Sequence, residues 1–205
     1  MELRQVFQNR RSARSFDPEQ ILDESLIRQI YDYASLAPSS FNLQPWKIIL
    51  VSEPENKARL RKCAMDQPKV TEASHVAVLL GDLEAYEDMD PILDDFVTKG
   101  YFPDTIKGSL KDKVRALYEG DNARAFAGRN VGLFAMAFMA TAYEFGVDTH
   151  PMDGFCAPDI RREFHIPDRY EIVMLVALGI RPRGVELKPR PERKPFDYVF
   201  INESF

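Results

Sequence analysis

The sequence predicts an α+β sandwich in which helices cover both faces of a central mixed sheet. Three observations favour this fold class. Helical patterns outnumber strand patterns, the strand patterns are separated by helical ones, and two strand patterns are apolar throughout, as in strands buried on both faces. A chain of 205 residues with 45% hydrophobic residues is expected to form one large domain, residues 1–205.

Two helices are predicted in the N-terminal part. The first covers residues 2–9. The second follows Asp23 or Ser25, either of which can cap it, and its apolar positions repeat with a period of 3.6 residues. Pro38 ends this helix, because the residue before a proline avoids the helical region.

The next elements alternate between strand and helix. Residues 46–51 are predicted to form a strand. Ser52 and Glu55 have the spacing of a capping box, which predicts a helix to about residue 65. Residues 76–81 are uniformly apolar and predict a central strand.

The second half is predicted to contain one dominant helix. Residues 82–120 are acidic and rich in turn residues, which indicates short helices and loops. Residues 122–145 predict a long buried helix that Gly146 terminates. A short helix is expected to open at Pro158, and residues 171–178 predict a buried strand.

The C-terminal segment, residues 182–205, contains four prolines and little apolar material of its own. Such a segment is expected to form an extended arm that lies against another surface. Residues 198–201 are predicted to form a strand at its end.

Composition excludes several classes of function. A net charge of −5 argues against nucleic acid as the partner, because binding a phosphate backbone needs a clustered basic surface. No segment resembles a membrane span or an export signal. Cys63 and Cys156 are far apart in sequence, so both are interpreted as buried structural thiols in a reducing cytoplasm. The three histidines lack metal-binding spacing, and no metal is predicted.

Three segments carry candidate site residues. Residues 10–14 hold Arg10, Arg11, Ser12 and Arg14, and such a density of guanidinium groups suits a phosphate, although a solvated basic patch is an alternative. Residues 38–46 place two hydroxyls and two carboxamides between prolines, an arrangement able to contact the edge of a heteroaromatic ring. Residues 150–155 contain a glycine that permits close approach to a ligand, although a tight turn is the alternative.

Five runs in this order resemble those of the nitroreductase family of flavoproteins. They are RRSARSF at 10–16, PSSFNLQPW at 38–46, HPMDGF at 150–155, the strand that ends in GIRP, and RKPFDYV at 193–199. The resemblance covers essentially the whole chain. It implies a three-layer sandwich that forms an intertwined homodimer, with the arm lying over the partner subunit.

The resemblance also implies roles for individual residues toward FMN. Arg10 and Ser12, with Arg11 beside them, and Arg193 in the arm match residues that bind the phosphate and ribityl chain. Arg14 matches a cation near the N1/O2 edge of the ring, which stabilises negative charge on reduced flavin. The remaining cofactor-binding matches are Gln67 at the pyrimidine edge, Pro38, Ser39, Ser40 and Asn42 from the second subunit, and Pro151, Met152, Asp153 and Gly154 against the ring.

Two positions depart from the family pattern. Pro191 stands where a further basic residue is common, so phosphate binding is expected to depend more on Arg10 and Arg193, or on the nearby Arg190. Phe41 is bulkier than usual and is expected to narrow the substrate slot.

The resemblance implies a ping-pong oxidoreductase that takes electrons from NADH or NADPH and reduces nitroaromatics, quinones or similar small electrophiles. Flavin N5 accepts the hydride, so no side-chain catalytic residue is predicted. Two alternatives remain within the fold: other flavin chemistry, namely dehalogenation, enoate reduction, azoline oxidation or flavin fragmentation, and a flavin-binding sensor without turnover. A flavin-free α/β domain is the third.

Overall fold

The computed structural model describes residues 2–204, so Met1 of the predicted domain and Phe205 of the predicted arm lie outside the described residues. A central sheet separates two groups of helices, which confirms the α+β sandwich. The helices and strands in chain order are α1 (Leu3–Asn9), α2 (Glu24–Ala34), β1 (Trp46–Val51), α3 (Pro54–Cys63), α4 (Lys69–Glu72), β2 (His75–Asp82), α5 (Asp90–Thr98), α6 (Lys107–Tyr118), α7 (Asn122–Glu144), β3 (Asp148–Met152), α8 (Ala157–Glu163), β4 (Tyr170–Gly179) and α9 (Phe196–Val199).

The strands lie in the order β1-β2-β4-β3, and each neighbouring pair is antiparallel. Within the described part of the chain, parallel pairing is confined to an isolated bridge between Ser12 and Thr149. The sheet itself is therefore antiparallel, and the prediction of a mixed sheet holds only for that bridge. Strand β2 is buried at every position, as its apolar run predicts.

Each face of the sheet packs on its own layer of helices. Val76, Val78 and Leu80 of β2 point into a core shared with α3, α4 and α8. Ala77 and Leu79 point the other way, into a core shared with α2 and α7. The alternation of side chains along a strand produces this division, and it gives the predicted three layers.

Helix α7 is the principal support of the second layer. Phe134 stacks on Trp46 of β1 with ring centroids 4.9 Å apart, and Phe134 and Phe138 are almost fully buried. The helix ends where predicted, since Gly146 has a φ of 78° and its amide donates to the carbonyl of Tyr143. On α2, the Asp23 carboxylate accepts a hydrogen bond from the Ser25 amide and caps the helix.

Four local predictions are wrong. Helix α3 begins at Pro54 with Glu53 at the cap and no side-chain cap hydrogen bond, because Ser52 lies one residue too early for a capping box. Residues 196–199 form helix α9 where a strand was predicted for residues 198–201. Strand β3, where the sequence predicted no strand, forms around Pro151. Cys63 is buried as predicted, but Cys156 is exposed.

Candidate functional site

The basic segment at residues 10–14 runs along the edge of the sheet beside β3. The amide of Ala13 donates to the Thr149 carbonyl at 3.0 Å, and the ring of His150 donates from Nδ1 to the Ala13 carbonyl at 2.5 Å. Ala13 is fully buried in the core below. Because neighbouring side chains of an extended segment point to opposite sides, Ser12 and Arg14 are directed outward.

The C-terminal arm closes over this segment. Arg11 donates to the carbonyl of Lys188 at 2.9 Å. Arg190 reaches back to α1 and donates from Nη2 to the carbonyls of Gln8 and Arg10, at 3.0 and 2.8 Å. These contacts hold residues 188–193 above residues 10–14, although almost 180 positions separate them in sequence.

A cavity of about 330 Å³ lies between the two segments. Its lining residues are Arg10, Arg11, Ser12, Arg14, His150, Arg190, Pro191 and Arg193. The structure thus brings together the five predicted residues Arg10, Arg11, Ser12, Arg14 and Arg193. His150, Arg190 and Pro191 complete the lining. The sequence motif contained His150, and the departure at Pro191 drew attention to Arg190. Spacing alone does not reveal that both side chains line the cavity with the predicted arginines.

The electrostatics of the cavity favour an anion. Five arginines line it, and no carboxylate from residues 2–204 does. The pKa of Arg10 is lowered, first by burial and then by the charges of Arg190 and Arg11. Its Nη1 is buried and has no hydrogen-bond partner within the described residues. A buried guanidinium nitrogen without an acceptor is costly, and a phosphate would satisfy it.

The wall next to the cavity is built by the segment that follows β3. Gln67 donates from Nε2 to the carbonyl of Gly154 at 2.9 Å, and Lys69 donates to Gln67 Oε1 at 3.2 Å. A Cβ placed on Gly154 would stand 3.3 Å from Gln67 Nε2 and from the sulfur of Met65, so the close packing favours glycine. Gly154 follows β3, the strand that contains His150, by two residues, so this wall lies beside the strand that borders the basic cavity.

Not every side chain in this segment faces the site. Met152 is buried in the core, whereas Asp153 is exposed and Pro151 is half-buried. Any contact that Met152 makes with a ligand at this edge is therefore made by its backbone.

The loop at residues 38–46 is ordered by its own contacts. The Ser40 amide donates to the buried carboxamide of Asn130 on α7 at 2.9 Å, and the Gln44 amide donates to Ser39 Oγ at 3.0 Å. Phe41 and Asn42 adopt φ angles of 52° and 54°, a left-handed conformation that non-glycine residues adopt only when the surroundings impose it.

This loop does not reach the basic cavity of its own chain. Trp46 pairs with Gly81 and Gly81 with Glu171, whereas Thr149 pairs with Leu178 at the other end of β4. The two regions are thus on opposite edges of the sheet, about 14 Å apart across three strand spacings, and about 23 Å apart along the strands. One chain therefore leaves Pro38, Ser39, Ser40 and Asn42 outside the cavity.

Phe41 likewise packs away from the cavity. It joins a cluster beneath α5 and α6 with Leu43, Met89 and Phe126, and its ring meets Tyr118 with centroids 6.4 Å apart. Narrowing of a substrate slot by Phe41 stays a prediction, because Phe41 does not line the basic cavity of its own chain.

Comparison with known proteins identifies relatives over the full length. The profile described as "Nitroreductase family" matches residues 7–180. A Bacillus subtilis protein named "Putative NAD(P)H nitroreductase YodC" is 33% identical over 195 residues, covering 95% of both chains. The crystal structure of a B. subtilis protein described as "putative nitroreductase ydfN" superposes with a TM-score of 0.90 at 31% identity over 97% of both chains.

One solved relative contains a cofactor. A nitroreductase structure from Exiguobacterium sibiricum, described as a complex with FMN, superposes with a TM-score of 0.87. It is 29% identical and the match covers 98% of this chain and 97% of that one. Similarity of this extent includes every element that builds the basic cavity and its wall.

Proposed function

The chain belongs to the nitroreductase family, and we propose that it is an FMN-dependent oxidoreductase that passes electrons from NADH or NADPH to nitroaromatics, quinones or similar small electrophiles. Relatives named as NAD(P)H nitroreductases support the donor, and the relative described in complex with FMN supports the cofactor. The observation that carries the proposal is the buried, unpartnered Nη1 of Arg10 in a cavity lined by five arginines.

The residues present fit the phosphate of FMN. Arg10, Arg11 and Arg193 offer planar donors from three directions, and Ser12 adds a hydroxyl between them. Arg14 lies at the same edge of the sheet and supplies positive charge next to a bound ring, which favours its reduced, anionic form. Gln67 and the backbone of residues 151–154 then flank the ring, with Gly154 allowing close approach.

When bound, FMN supplies hydride acceptance at N5 and returns the electrons to a second substrate. The protein's task is to hold the ring, set the charge around it and leave one face open. The donor and the acceptor use that face in turn, which gives a ping-pong mechanism. No side chain of this chain is assigned as a general acid or base.

We further propose that the active species is a homodimer. The loop at Pro38, Ser39, Ser40 and Asn42 lies far from the cavity in its own chain, so a second copy is needed to place it against the ring. The exposed arm supports the same conclusion, since Phe196 and Tyr198 are 67% and 66% exposed in one chain. Two free thiols support a reducing compartment, for which the cytoplasm is the expectation.

Anaerobic stopped-flow spectroscopy tests the proposal. The protein reconstituted with FMN should bleach near 450 nm, roughly the absorbance of oxidised flavin, when NADH or NADPH is added, and should recover its colour when a quinone or nitroaromatic follows. A protein that binds FMN but is not bleached would be a sensor. A protein that shows no saturable FMN binding would be a flavin-free domain, and either result would refute the proposal.

An acceptor panel separates the remaining alternatives within the fold. Nitroaromatics, quinones, an enone and a haloaromatic are offered in turn to the same reduced enzyme. The proposal requires reoxidation by the first two at rates well above the others. Preferential reoxidation by the enone or the haloaromatic would assign the chain to a different flavin chemistry.

A further inference from the structure

Two cysteines that are 93 positions apart in sequence meet where α3 packs on the segment before α8. Cys63 is the last residue of α3, and Cys156 immediately precedes α8. The amide of Cys156 donates to the carbonyl of Cys63 at 2.8 Å. Covalent geometry then limits their Cα–Cα separation to at most about 6.7 Å. Disulfides span about 4.4–6.8 Å between Cα atoms, so the separation does not exceed the range that a disulfide allows.

Asp159 on α8 influences both cysteines. The Cys63 thiol donates to the carbonyl of Arg59 within α3 at 3.5 Å. The pKa of Asp159 is lowered, first by a hydrogen bond from the Cys156 side chain and then by Arg162. The pKa of Cys63 is raised, chiefly by burial and then by the charges of Asp159 and Glu163, with a smaller contribution from Cys156.

The two thiols differ in access to solvent. Cys156 is exposed and Cys63 is buried. A dissolved oxidant therefore meets Cys156 first, and Cys63 stands behind it in the position of a resolving thiol. A metal is not the explanation for the pair, because the described residues contain no group of three or more His, Cys, Asp or Glu side chains arranged to hold one.

We propose that Cys63 and Cys156 form a peroxide-sensitive dithiol that closes to an intramolecular disulfide. In the first step the Cys156 thiol releases its proton and the resulting thiolate attacks hydrogen peroxide. An S–O bond forms, the O–O bond breaks, and the hydroxide released combines with that proton and leaves as water. In the second step the Cys63 sulfur attacks the Cys156 sulfenic acid. The S–S bond forms, the S–O bond breaks, and the hydroxide leaves with the Cys63 proton as a second water.

The disulfide would enclose part of the candidate site. Gln67 follows Cys63 by four positions and Gly154 precedes Cys156 by two, and their side chain and carbonyl are hydrogen-bonded at 2.9 Å. A bond between the cysteines joins the two segments covalently within a few residues of that contact. It therefore fixes the wall of the site against local opening. This inference does not depend on the identity of the cofactor.

Thiol counting and peptide mapping test the proposal on the full-length protein, purified with whatever flavin it holds. After reduction and desalting, the protein is treated with hydrogen peroxide and its free thiols are titrated under denaturing conditions. We expect both thiols to be lost together and to return with dithiothreitol. Non-reducing tryptic digestion should yield peptides 63–69 and 130–161 joined by one bond within a single chain.

Two variants make the test specific. In Cys156→Ser, which alters an exposed position, Cys63 should keep its thiol at the same peroxide exposure. In Cys63→Ala, Cys156 should accumulate a sulfenic acid that dimedone captures. Exposed Met65 lies in peptide 63–69, and its sulfoxide is distinguished because dithiothreitol does not reverse it.

Three results would overturn the proposal. They are a disulfide between two chains, an over-oxidised Cys156 beside a free Cys63, and thiols that persist while Met65 is oxidised. Hydrogen exchange adds a structural readout, since the amides of residues 154–156 should exchange more slowly in the oxidised protein than in the reduced one.

Discussion

Arg10 has a buried donor that the described part of its own chain leaves without an acceptor. Its pKa is lowered by burial and by the charges of Arg190 and Arg11, so the arginine is held where it costs free energy. Such a residue is explained by a ligand anion that supplies both the acceptor and the opposite charge. The site's affinity for phosphate is therefore expected to depend on this side chain.

We expect Arg10→Ala to weaken FMN binding by about ten- to one-hundred-fold. This range corresponds to the loss of one charge-assisted hydrogen bond, about 1.5–3 kcal/mol. The FMN affinity of Arg10→Lys should lie between those of the unaltered protein and Arg10→Ala, because an ammonium group keeps the charge but lacks the planar arrangement of donors. Fluorescence titration with FMN measures the dissociation constant. Arg28→Ala, on the exposed face of α2, is the matched control, and equal affinity in Arg10→Ala and Arg28→Ala would reject the assignment.

His75 makes the stability of the fold depend on pH. The residue is 8% exposed, and its pKa is lowered by burial and then by the charge of Lys57, against a smaller opposing contribution from Glu24. The folded protein therefore binds the proton less readily than the unfolded chain, whose histidine titrates near about 6.5. His150 has a pKa lowered in the same direction, also by burial first.

We expect the free energy of unfolding to fall as the pH is lowered through about 6.5, because the unfolded chain gains protons first. His75→Gln should reduce this fall, while the contribution of His150 remains. Urea unfolding gives the free energy of unfolding of both proteins at about pH 8 and about pH 5.5. The quantity compared between the two proteins is the change in that free energy from one pH to the other. An identical pH dependence in both proteins would show that His75 does not contribute.

The sequence indicates the chemistry of the site better than it indicates which residues line the site. The density of guanidinium groups in residues 10–14 suits an anion site but leaves a solvated basic patch as the alternative, and the arm that folds over these residues provides the cavity. The participation of Arg190 depends on carbonyls of α1 that accept its hydrogen bonds, and that contact joins opposite ends of the chain. In the same way, Cys156 is exposed because of where α8 packs, which no local pattern encodes.

At the scale of elements, the sheet depends on close contact between β2 and α7. A Cβ placed on Gly81 would stand 2.6 Å from the Cβ of Ala127, a distance that real Cβ atoms do not adopt. The strand and the helix approach each other more closely here than two alanines allow. This contact sets the distance between the sheet and its second helical layer.

We expect Gly81→Ala to lower the free energy of unfolding by about 1–3 kcal/mol, the usual cost of overpacking a core. Urea unfolding measures it. Gly108→Ala on exposed α6 is the control. An added Cβ there meets nothing within 4 Å among the described residues, so this change should be neutral or stabilising by up to about 1 kcal/mol. If Gly81→Ala proved as stable as Gly108→Ala, the contact would not be as close as the structure indicates.

Helices and strands with strong periodicity are predicted well from the sequence, whereas short elements without it are predicted poorly. The patterns of β1 and α7 predict their bounds to within a residue, because each has an apolar run and a clear stop signal. Strand β3 contains Pro151 and is not predicted locally, since it exists by pairing with β4 at the sheet edge. The predicted strand at residues 198–201 rests on apolar residues alone, whereas Pro195 caps a helical turn at Phe196–Val199.

At the scale of the whole molecule, one chain presents an incomplete site. The basic cavity and the loop at residues 38–46, here called the carboxamide loop, lie at opposite edges of the sheet. On α7, the side chain of Leu133 is 49% exposed in one chain. The family resemblance implied that the loop at residues 38–46 is contributed by a second subunit, but the motifs do not show why a single chain cannot bring it to its own cavity. Sheet register establishes that separation, and a second copy of the chain is the simplest means of restoring the site.

The C-terminal arm provides the test of that arrangement. Residues 195–204 are exposed in one chain, and the rings of Phe196 and Phe200 stack on each other at 4.1 Å with little other cover. Removing residues 195–205 therefore exposes no core of the same chain. The truncation should therefore change only the association of chains, because the proposed partner of the apolar surface of α9 is a second copy of the chain.

We expect the full chain to sediment as a dimer, and a chain that ends at Lys194 to dissociate at concentrations at which the full chain remains dimeric. Sedimentation velocity across a dilution series measures this, and the far-ultraviolet circular dichroism should stay unchanged because the removed residues include only one short helix. Tyr101→Ala, which alters an exposed aromatic residue outside the arm, should leave association unchanged. Equal dimer affinity with and without the arm would mean that it does not lie on a partner, and the carboxamide loop would then need another route to the cavity.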